Sequence, residues 1–409
     1  MKIKNSIRKK VLTSLLIGAT LGTTVTGIGA TKSFADCSSH DNVISGEVKY
    51  SRTDKALGEQ IIKEMQEDSK SKNYSPVKTW HFHQVNDGKC VTLAQHRGYL
   101  YMLDVWGQAN KGTAYVGGTK LHFSNANGKA QKGWFNVTDD PKGLNGRHYF
   151  DPRNYQARIG GLHLIDGQSY LFKQGCVQTG IHRYGQSKYL FKDVTGERLT
   201  GFIKDRMGNQ RMFEPKRGGA MVEGWYYGDP AGYTYFYPES GVLVLSGIQY
   251  LPGDGRHQAG RYLLKCNPRG TVPYTTTGFW SENGDRYYFS ENQNGRALTD
   301  QWLGTDKRTS NSNGSMYFDK DSHMAKGVTK IGNETYLFLQ QSKNDWNHYQ
   351  THGWYTDQST NKRYFFNDGV NARSATNARE VTPLGAAVKG TQIINGQTYH
   401  FDQNGVLIK

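Results

Sequence analysis

Cysteine and proline are scarce, with 4 and 10 residues in a chain of 409. The cysteines Cys37, Cys90, Cys176 and Cys266 contain no CxxC spacing, which leaves a zinc or dithiol redox centre without its usual support. No nucleophile elbow, phosphate loop or zinc-protease motif is present. Carboxylates such as Asp166, Asp193, Asp285, Asp319 and Asp402 are scattered among turns, where they bond local amides, and no pair stands out as a glycosidase would need. Hydrophobic residues make up only 36%, which fits many short hairpins better than large packed sheets. His81 and His83 flank Phe82 and share one strand face, but a metal would need further ligands, with His40 and Asp41 the nearest candidates. Neither a metal nor a cofactor is expected, and no catalytic residue can be named.

Acidic residues are outnumbered, 35 against 51 Lys and Arg, for a net charge of +16. The basic head from Met1 to Lys10, the apolar run from Val11 to about Ala30 and Ser33-Phe34-Ala35 predict a signal peptide at 1–35, cut after Ala35; an uncleaved membrane anchor is the alternative. Cleavage removes six basic residues and no acidic ones, taking +16 to +10, and leaves no membrane span. Asp36 before Cys37 argues against lipidation. No apolar tail or sortase-like motif precedes Lys409. The positive charge suits wall teichoic acid and anionic lipid surfaces, or simply keeps an aromatic-rich surface soluble. Its dispersal among turns argues against nucleic acid. Export permits disulfides; of three pairings, Cys37 with Cys90 would leave Cys176 with Cys266.

Glycine and tyrosine, by contrast, are abundant, at 49 and 26 residues. From Gly98 onward a triplet of aromatic or apolar residues recurs thirteen times: Tyr101-Met102-Leu103, Leu121-His122-Phe123, His148-Tyr149-Phe150, Tyr170-Leu171-Phe172, Tyr189-Leu190-Phe191, Arg211-Met212-Phe213, Tyr235-Phe236-Tyr237, Tyr262-Leu263-Leu264, Tyr287-Tyr288-Phe289, Met316-Tyr317-Phe318, Tyr336-Leu337-Phe338, Tyr364-Phe365-Phe366 and Tyr399-His400-Phe401. Between triplets, Gly-initiated strands open at Gly133-Trp134, Gly180-Ile181, Gly201-Phe202, Gly224-Trp225, Gly247-Ile248, Gly278-Phe279, Gly327-Val328, Gly353-Trp354 and Gly390-Thr391. A period of twenty-odd residues means a stacked array rather than one core. Strand alternation puts the first and third triplet positions on one face, with the third as core. The expected fold is all-β, a β-hairpin repeat solenoid over 96–409, behind a small α-containing head and linker at 36–95. In that head Leu57, Ile61 and Met65 predict one amphipathic helix with Thr53 or Ser51 as its cap. Irregular inserts at Pro252 to Gly260, Thr305 to Gly314, Ser342 to His352 and Val370 to Ala387 break the period and block or reshape some pockets.

These Gly-aromatic openings and Tyr-x-Phe strands resemble the bacterial cell-wall-binding repeat superfamily, which includes choline-binding modules, clostridial toxin repeats and glucan-binding domains of lactic-acid-bacterial glucansucrases. The resemblance runs from about Gly98 to Lys409 and implies shallow ligand pockets between consecutive hairpins. The position before each triplet is never Trp, and six times in thirteen it is Lys or Arg, among them Arg147, Arg286 and Arg363; a cation there would repel choline. The glucan-binding branch is therefore the closer one. It implies a secreted, non-catalytic binder of α-glucan or related polysaccharide at the cell wall or in extracellular matrix. Trp134, Tyr170, Tyr189, Trp225, Tyr235, Tyr287, Tyr336 and Trp354 are the expected sugar platforms, with Gln168, Lys188, Gln210 and Arg286 as rim donors. The alternatives are a wall protein held on teichoic acid, and a lytic or glycan-processing enzyme seated in the head.

Overall fold

Short runs of β-branched and aromatic residues, each closed by a glycine turn, form strand after strand in the computed structural model. It describes residues 43–70, 78–83, 90–228, 232–266, 270, 272–304, 315–341, 343, 347–374 and 382–408. The signal-peptide segment, Cys37, His40, Asp41 and the insert from Thr305 to Gly314 lie outside these residues, as do parts of the two later inserts. The described residues fall in two compact units. One runs to Gly201 and takes in Phe213–Met221; the other comprises Phe202–Met212 and the chain from Val222.

The first unit begins with β1 (Val43–Ser45), β2 (Val48–Asp54), α1 (Lys55–Ser69), β3 (Lys78–His83), β4 (Cys90–His96), β5 (Tyr99–Asp104), β6 (Ala109–Val116) and β7 (Thr119–Phe123). These strands make one seven-stranded sheet in the order β1-β3-β4-β5-β6-β2, with β7 on β6. It runs antiparallel except for β1 beside β3. Leu57, Ile61 and Met65 do line one face of α1, packing with Ile62 against Ala94, Tyr101, Leu103 and Ala109. Gly58 permits that approach, since a Cβ there would stand 2.0 Å from the Gly107 carbonyl oxygen. The cap is Asp54 rather than Thr53 or Ser51: its Oδ1 accepts from the Leu57 amide at 2.9 Å, one turn into the helix. The sheet's other face buries Val91, Leu93, Leu100, Met102 and Phe123. The first two triplets are thus strands of this sheet, not free-standing hairpins.

Further hairpins follow in both units, and their register obeys one rule. The opening glycine lies opposite the third triplet residue, as in Gly133 with Phe150, Gly161 with Phe172, Gly278 with Phe289, Gly327 with Phe338 and Gly353 with Phe366. Those phenyl rings are fully withdrawn from water. A Cβ on Gly133 or Gly353 would meet nothing within 4 Å, while φ is +77° and +86°. Left-handed backbone, not crowding, therefore selects glycine there. The triplet Tyr235-Phe236-Tyr237 sits one residue late: Gly224 faces Phe236, which is buried, and Tyr237 is exposed. Tips such as Asn283-Gly284 and Asn395-Gly396 join strands in two residues, both with positive φ, matching the strand twist.

Stacking follows from strand alternation. Each hairpin's opening residue and middle triplet residue pack against the first and third triplet residues of the next. Thus Trp302 and Tyr317 pack with Tyr336 and Phe338, and Val328 and Leu337 with Tyr364 and Phe366. A backbone hydrogen bond repeats at the position before the triplet, whose carbonyl accepts from the next hairpin: Leu100 from Ala130, Lys120 from Ala157, Arg286 from Met324, Thr335 from Ala387, Arg363 from Leu407. Because the position works through its backbone, its side chain is free to vary. The architecture is an all-β hairpin repeat fold with one α-helix among the described residues.

Candidate functional site

The expected platforms divide in two. Tyr170, Tyr235, Tyr287 and Tyr336 are buried, each 9% exposed or less. Tyr170, Tyr287 and Tyr336 share a face with the buried third residue, and the preceding hairpin covers that face; Tyr235, the middle residue of its shifted triplet, lies on the other face and packs against Leu251, Tyr262 and Leu264 of the next hairpin. None offers a ring to solvent. Burial also raises the pKa of all four phenols. This corrects the expectation for those four: alternation assigns the first triplet position of Tyr170, Tyr287 and Tyr336 to the interior, and stacking of the next hairpin buries Tyr235.

Trp134, Trp225 and Trp354 are half-buried, and each ring already has neighbours on both strands and beyond. Trp134 stands 5.1 Å from its cross-strand Tyr149 and 4.6 Å from Tyr170 of the next hairpin. Trp354 stands 5.2 Å from Phe365 and 4.9 Å from Tyr399. Above them lie guanidinium groups, Arg147 at 4.0 Å from the Trp134 centroid and Arg363 at 4.4 Å from that of Trp354. Trp225 is covered by the insert after Leu251. His257 stacks on it at 4.1 Å and 14°, and its indole N–H donates to the Pro252 carbonyl at 2.8 Å. That insert does reshape its pocket, as its irregular length suggested. Tyr189 is half-buried with Arg198 5.8 Å from its centroid.

Of the rim donors, Gln168 is exposed, and Lys188 and Gln210 are half-buried. Arg286 stands in a cleft of about 310 Å³ lined by Ser281, Glu282, Asn283, Gly284, Asp285, Lys326, Gln340 and His348. Its Nε donates to Asn347 Oδ1 at 2.8 Å and its Nη1 to Ser281 Oγ at 2.9 Å, which fixes the guanidinium 5.0 Å from the Phe279 centroid. Lys326 Nζ donates to the Gly284 carbonyl at 2.6 Å and reaches Asp285 Oδ1 at 3.4 Å. Phe279 is itself partly exposed. Carboxylates, cations and an amide in one cleft are groups that can hydrogen-bond a polyhydroxylated ligand.

The expected platforms omit three exposed tyrosines at the tips of array hairpins. Tyr184, Tyr227 and Tyr250 are 45%, 54% and 71% exposed. Tyr227 and Tyr250 each stand two residues after an opening residue, and so project from the same strand face but beyond the cover of the next hairpin. That spacing is present in the sequence, outside the triplets.

One polar cluster is closed to solvent. Lys120 Nζ meets Asp140 Oδ2 at 2.5 Å, and the same carboxylate accepts from the Tyr115 hydroxyl at 2.8 Å. His148 Nε2 lies 3.2 Å from Lys120 Nζ and 3.4 Å from Cys176 Sγ. Burial raises the Cys176 thiol pKa and lowers that of His148 to about 4, the reverse of an activated nucleophile. Cys176 and Cys266 are both free thiols, so their expected pairing does not form: Cys176 is turned to His148, and Cys266 to Ser246 Oγ at 3.3 Å. Cys90 is disulfide-bonded. His81 and His83 pair through backbone with Thr92 and Cys90. Among the described residues no three His, Cys, Asp or Glu side chains cluster for a metal, and no helix is long and apolar enough to cross a membrane.

No family model matches the chain. It is 28% identical over 270 residues to Glucosyltransferase-S of Streptococcus mutans serotype c, covering 64% of this chain and 16% of that protein. It is 26% identical over 363 residues to Glucosyltransferase-I of Streptococcus downei, covering 79% and 21%. The chain thus spans about a fifth or less of these relatives' length. Among solved structures, CbpJ of Streptococcus pneumoniae TIGR4 is 17% identical, with 78% of this chain and 100% of that one covered and a TM-score of 0.36. The glucosyltransferase matches agree with the resemblance carried by the triplets, that of a glucan-binding or choline-binding type repeat domain.

Proposed function

We propose that the chain is a secreted, non-catalytic carbohydrate-binding protein that engages α-glucan or a related surface polysaccharide through many weak sites, at the cell wall or in extracellular matrix. It would serve adhesion, aggregation or wall attachment. One observation carries this reading: solvent-facing tyrosines recur at hairpin tips, at Tyr184, Tyr227 and Tyr250. A pyranose lays its apolar face on such a ring and directs its hydroxyls to the polar rim. The cleft around Arg286, beside Phe279, supplies a rim of that kind. Each site is shallow, and several on one array raise apparent affinity roughly 10²- to 10⁴-fold when one polymer bridges them. The curated relatives are glucosyltransferases, and on this reading the shared part is the part that holds glucan rather than the part that makes it.

Retention on cross-linked dextran tests this. Binding is expected at low salt, to persist at about 1 M salt, where the Debye length falls to about 3 Å, and to be competed by soluble dextran. The excess of basic residues favours a second reading, attachment to teichoic acid. Loss of all retention in salt, with binding only to walls that carry teichoic acid, would select it. New glucan from sucrose, or a clearing zone on wall substrate, would show an enzyme instead.

A further inference from the structure

Sequence and register together place a cation on the opening ring of three hairpins. Arg147, Arg286 and Arg363 each immediately precede a triplet, and each stands opposite the residue two beyond the opening aromatic: Arg147 opposite Asn136, Arg286 opposite Ser281, Arg363 opposite Thr356. A long side chain at that diagonal reaches back over the ring. The guanidinium carbons lie 4.0, 5.0 and 4.4 Å from the centroids of Trp134, Phe279 and Trp354. This is the place and distance at which any cationic ligand would meet an aromatic face. Arg147 is held further by donation from Nη1 to the Thr195 carbonyl.

We propose that Arg147 and Arg363 are built-in occupants of the two indole faces and determine specificity: they make these sites refuse quaternary ammonium ligands, and their removal converts the sites to bind them. A guanidinium already on the ring contributes the attraction an external trimethylammonium would need, and its charge repels that ligand. Such a self-supplied competitor is specificity by exclusion. At the same position other hairpins carry Ser169, Ser315, Thr335 and Thr398, so a small hydroxyl residue is compatible with the rung. At Arg363 the carbonyl accepts from the Leu407 amide, a backbone bond that does not depend on the side chain.

The test is a titration of the full-length protein with choline chloride, followed by tryptophan fluorescence against matched sodium chloride. The native chain is expected to give no saturable response. R147S/R363T is expected to give a saturable one, with apparent affinity raised roughly 3- to 30-fold, the range of a cation–π contact. R147K/R363K keeps the charge and is expected to stay unresponsive. Arg363 is exposed, so R363T alone maintains the test if losing the Arg147–Thr195 bond disturbs its hairpin. A native chain that binds choline as tightly as the variant overturns the proposal. So does a variant with native near-UV dichroism and no gain. The titration uses no glucan, so its outcome stands whether or not dextran retains the protein, and dextran retention in turn is measured without choline.

Discussion

The sheet formed by β1 to β7 and any later hairpin bury rings in opposite ways. The sheet, which extends past the expected head to Phe123, gathers seven strands and a helix around shared cores, so Leu93, Leu100 and Met102 are covered by several elements. A hairpin such as Gly327–Ile331 with Glu334–Gln340 has no core of its own; its buried face is completed by Trp302 and Tyr317 of the hairpin before it. The same burial should then fail differently when a side chain is removed. Stability in the head is a property of a domain, and in the array of neighbouring pairs.

Phe338→Ala should give the largest effect. It empties a fully buried site and is expected to cost about 3–5 kcal/mol. The loss should stay local, raising amide hydrogen exchange in the hairpins from Gln301 to Phe366 while sparing those near the end of the chain. Leu93→Ala, at about 2–5 kcal/mol, should raise exchange across all of β4 to β7 together. Uniform loss of protection across the whole second unit on Phe338→Ala would erase the distinction between the regions.

Acid should act where the sheet meets the first hairpin beyond it. Burial lowers His122, in β7, and His148, in the first hairpin beyond it, from 6.5 to about 4. Both imidazoles are neutral when folded, whereas the unfolded chain takes up protons below about pH 6.5. The stability this represents is present above pH 6.5 and is lost as pH falls toward 4, at roughly 2–3 kcal/mol for each histidine. Hydrogen exchange between pH 7 and 4 should therefore show β6, β7 and the 133–150 hairpin loosening, and H122N/H148N should flatten the profile. An unchanged slope in that double variant would remove the two histidines as the cause.

How much of this was readable follows the same division. In the array, Gly-aromatic openings and Tyr-x-Phe triplets repeat, so a stacked hairpin array with a buried third residue was legible; Phe150, Phe172 and Phe338 lie where alternation places them, while Tyr237, read one residue late, does not. In the sheet of β1 to β7 only β5 and β7 carry the repeat triplet. Val48–Asp54 pairs with Ala109–Val116 across some sixty residues, and nothing local announces such pairing. The cap went to Asp54 rather than Thr53 or Ser51 because its carboxylate meets the Leu57 amide, a choice only helix phase decides. For the candidate site, residue type was legible and side was not. Tyr170 and Tyr336 carry the hydroxyl a sugar platform wants, yet they share a face with Phe172 and Phe338.

The smallest expected effect tests that sidedness within one hairpin. Tyr262 is fully buried, with its hydroxyl donating to the Gln258 carbonyl at 2.7 Å; Tyr250, on the facing strand, is largely exposed. Tyr250→Ala should leave the midpoint of thermal unfolding within the range of ordinary surface changes, about 0.5 kcal/mol. It should nevertheless weaken dextran retention by several-fold, because one lost weak contact is multiplied along a polymer held at many points. Tyr262→Ala should do the reverse, lowering stability by kilocalories and changing retention only as far as the fold is lost. If Tyr250→Ala destabilises the protein and retention stays native, the exposed ring serves the hairpin and not the ligand. The tip tyrosines would then join the buried ones as architecture.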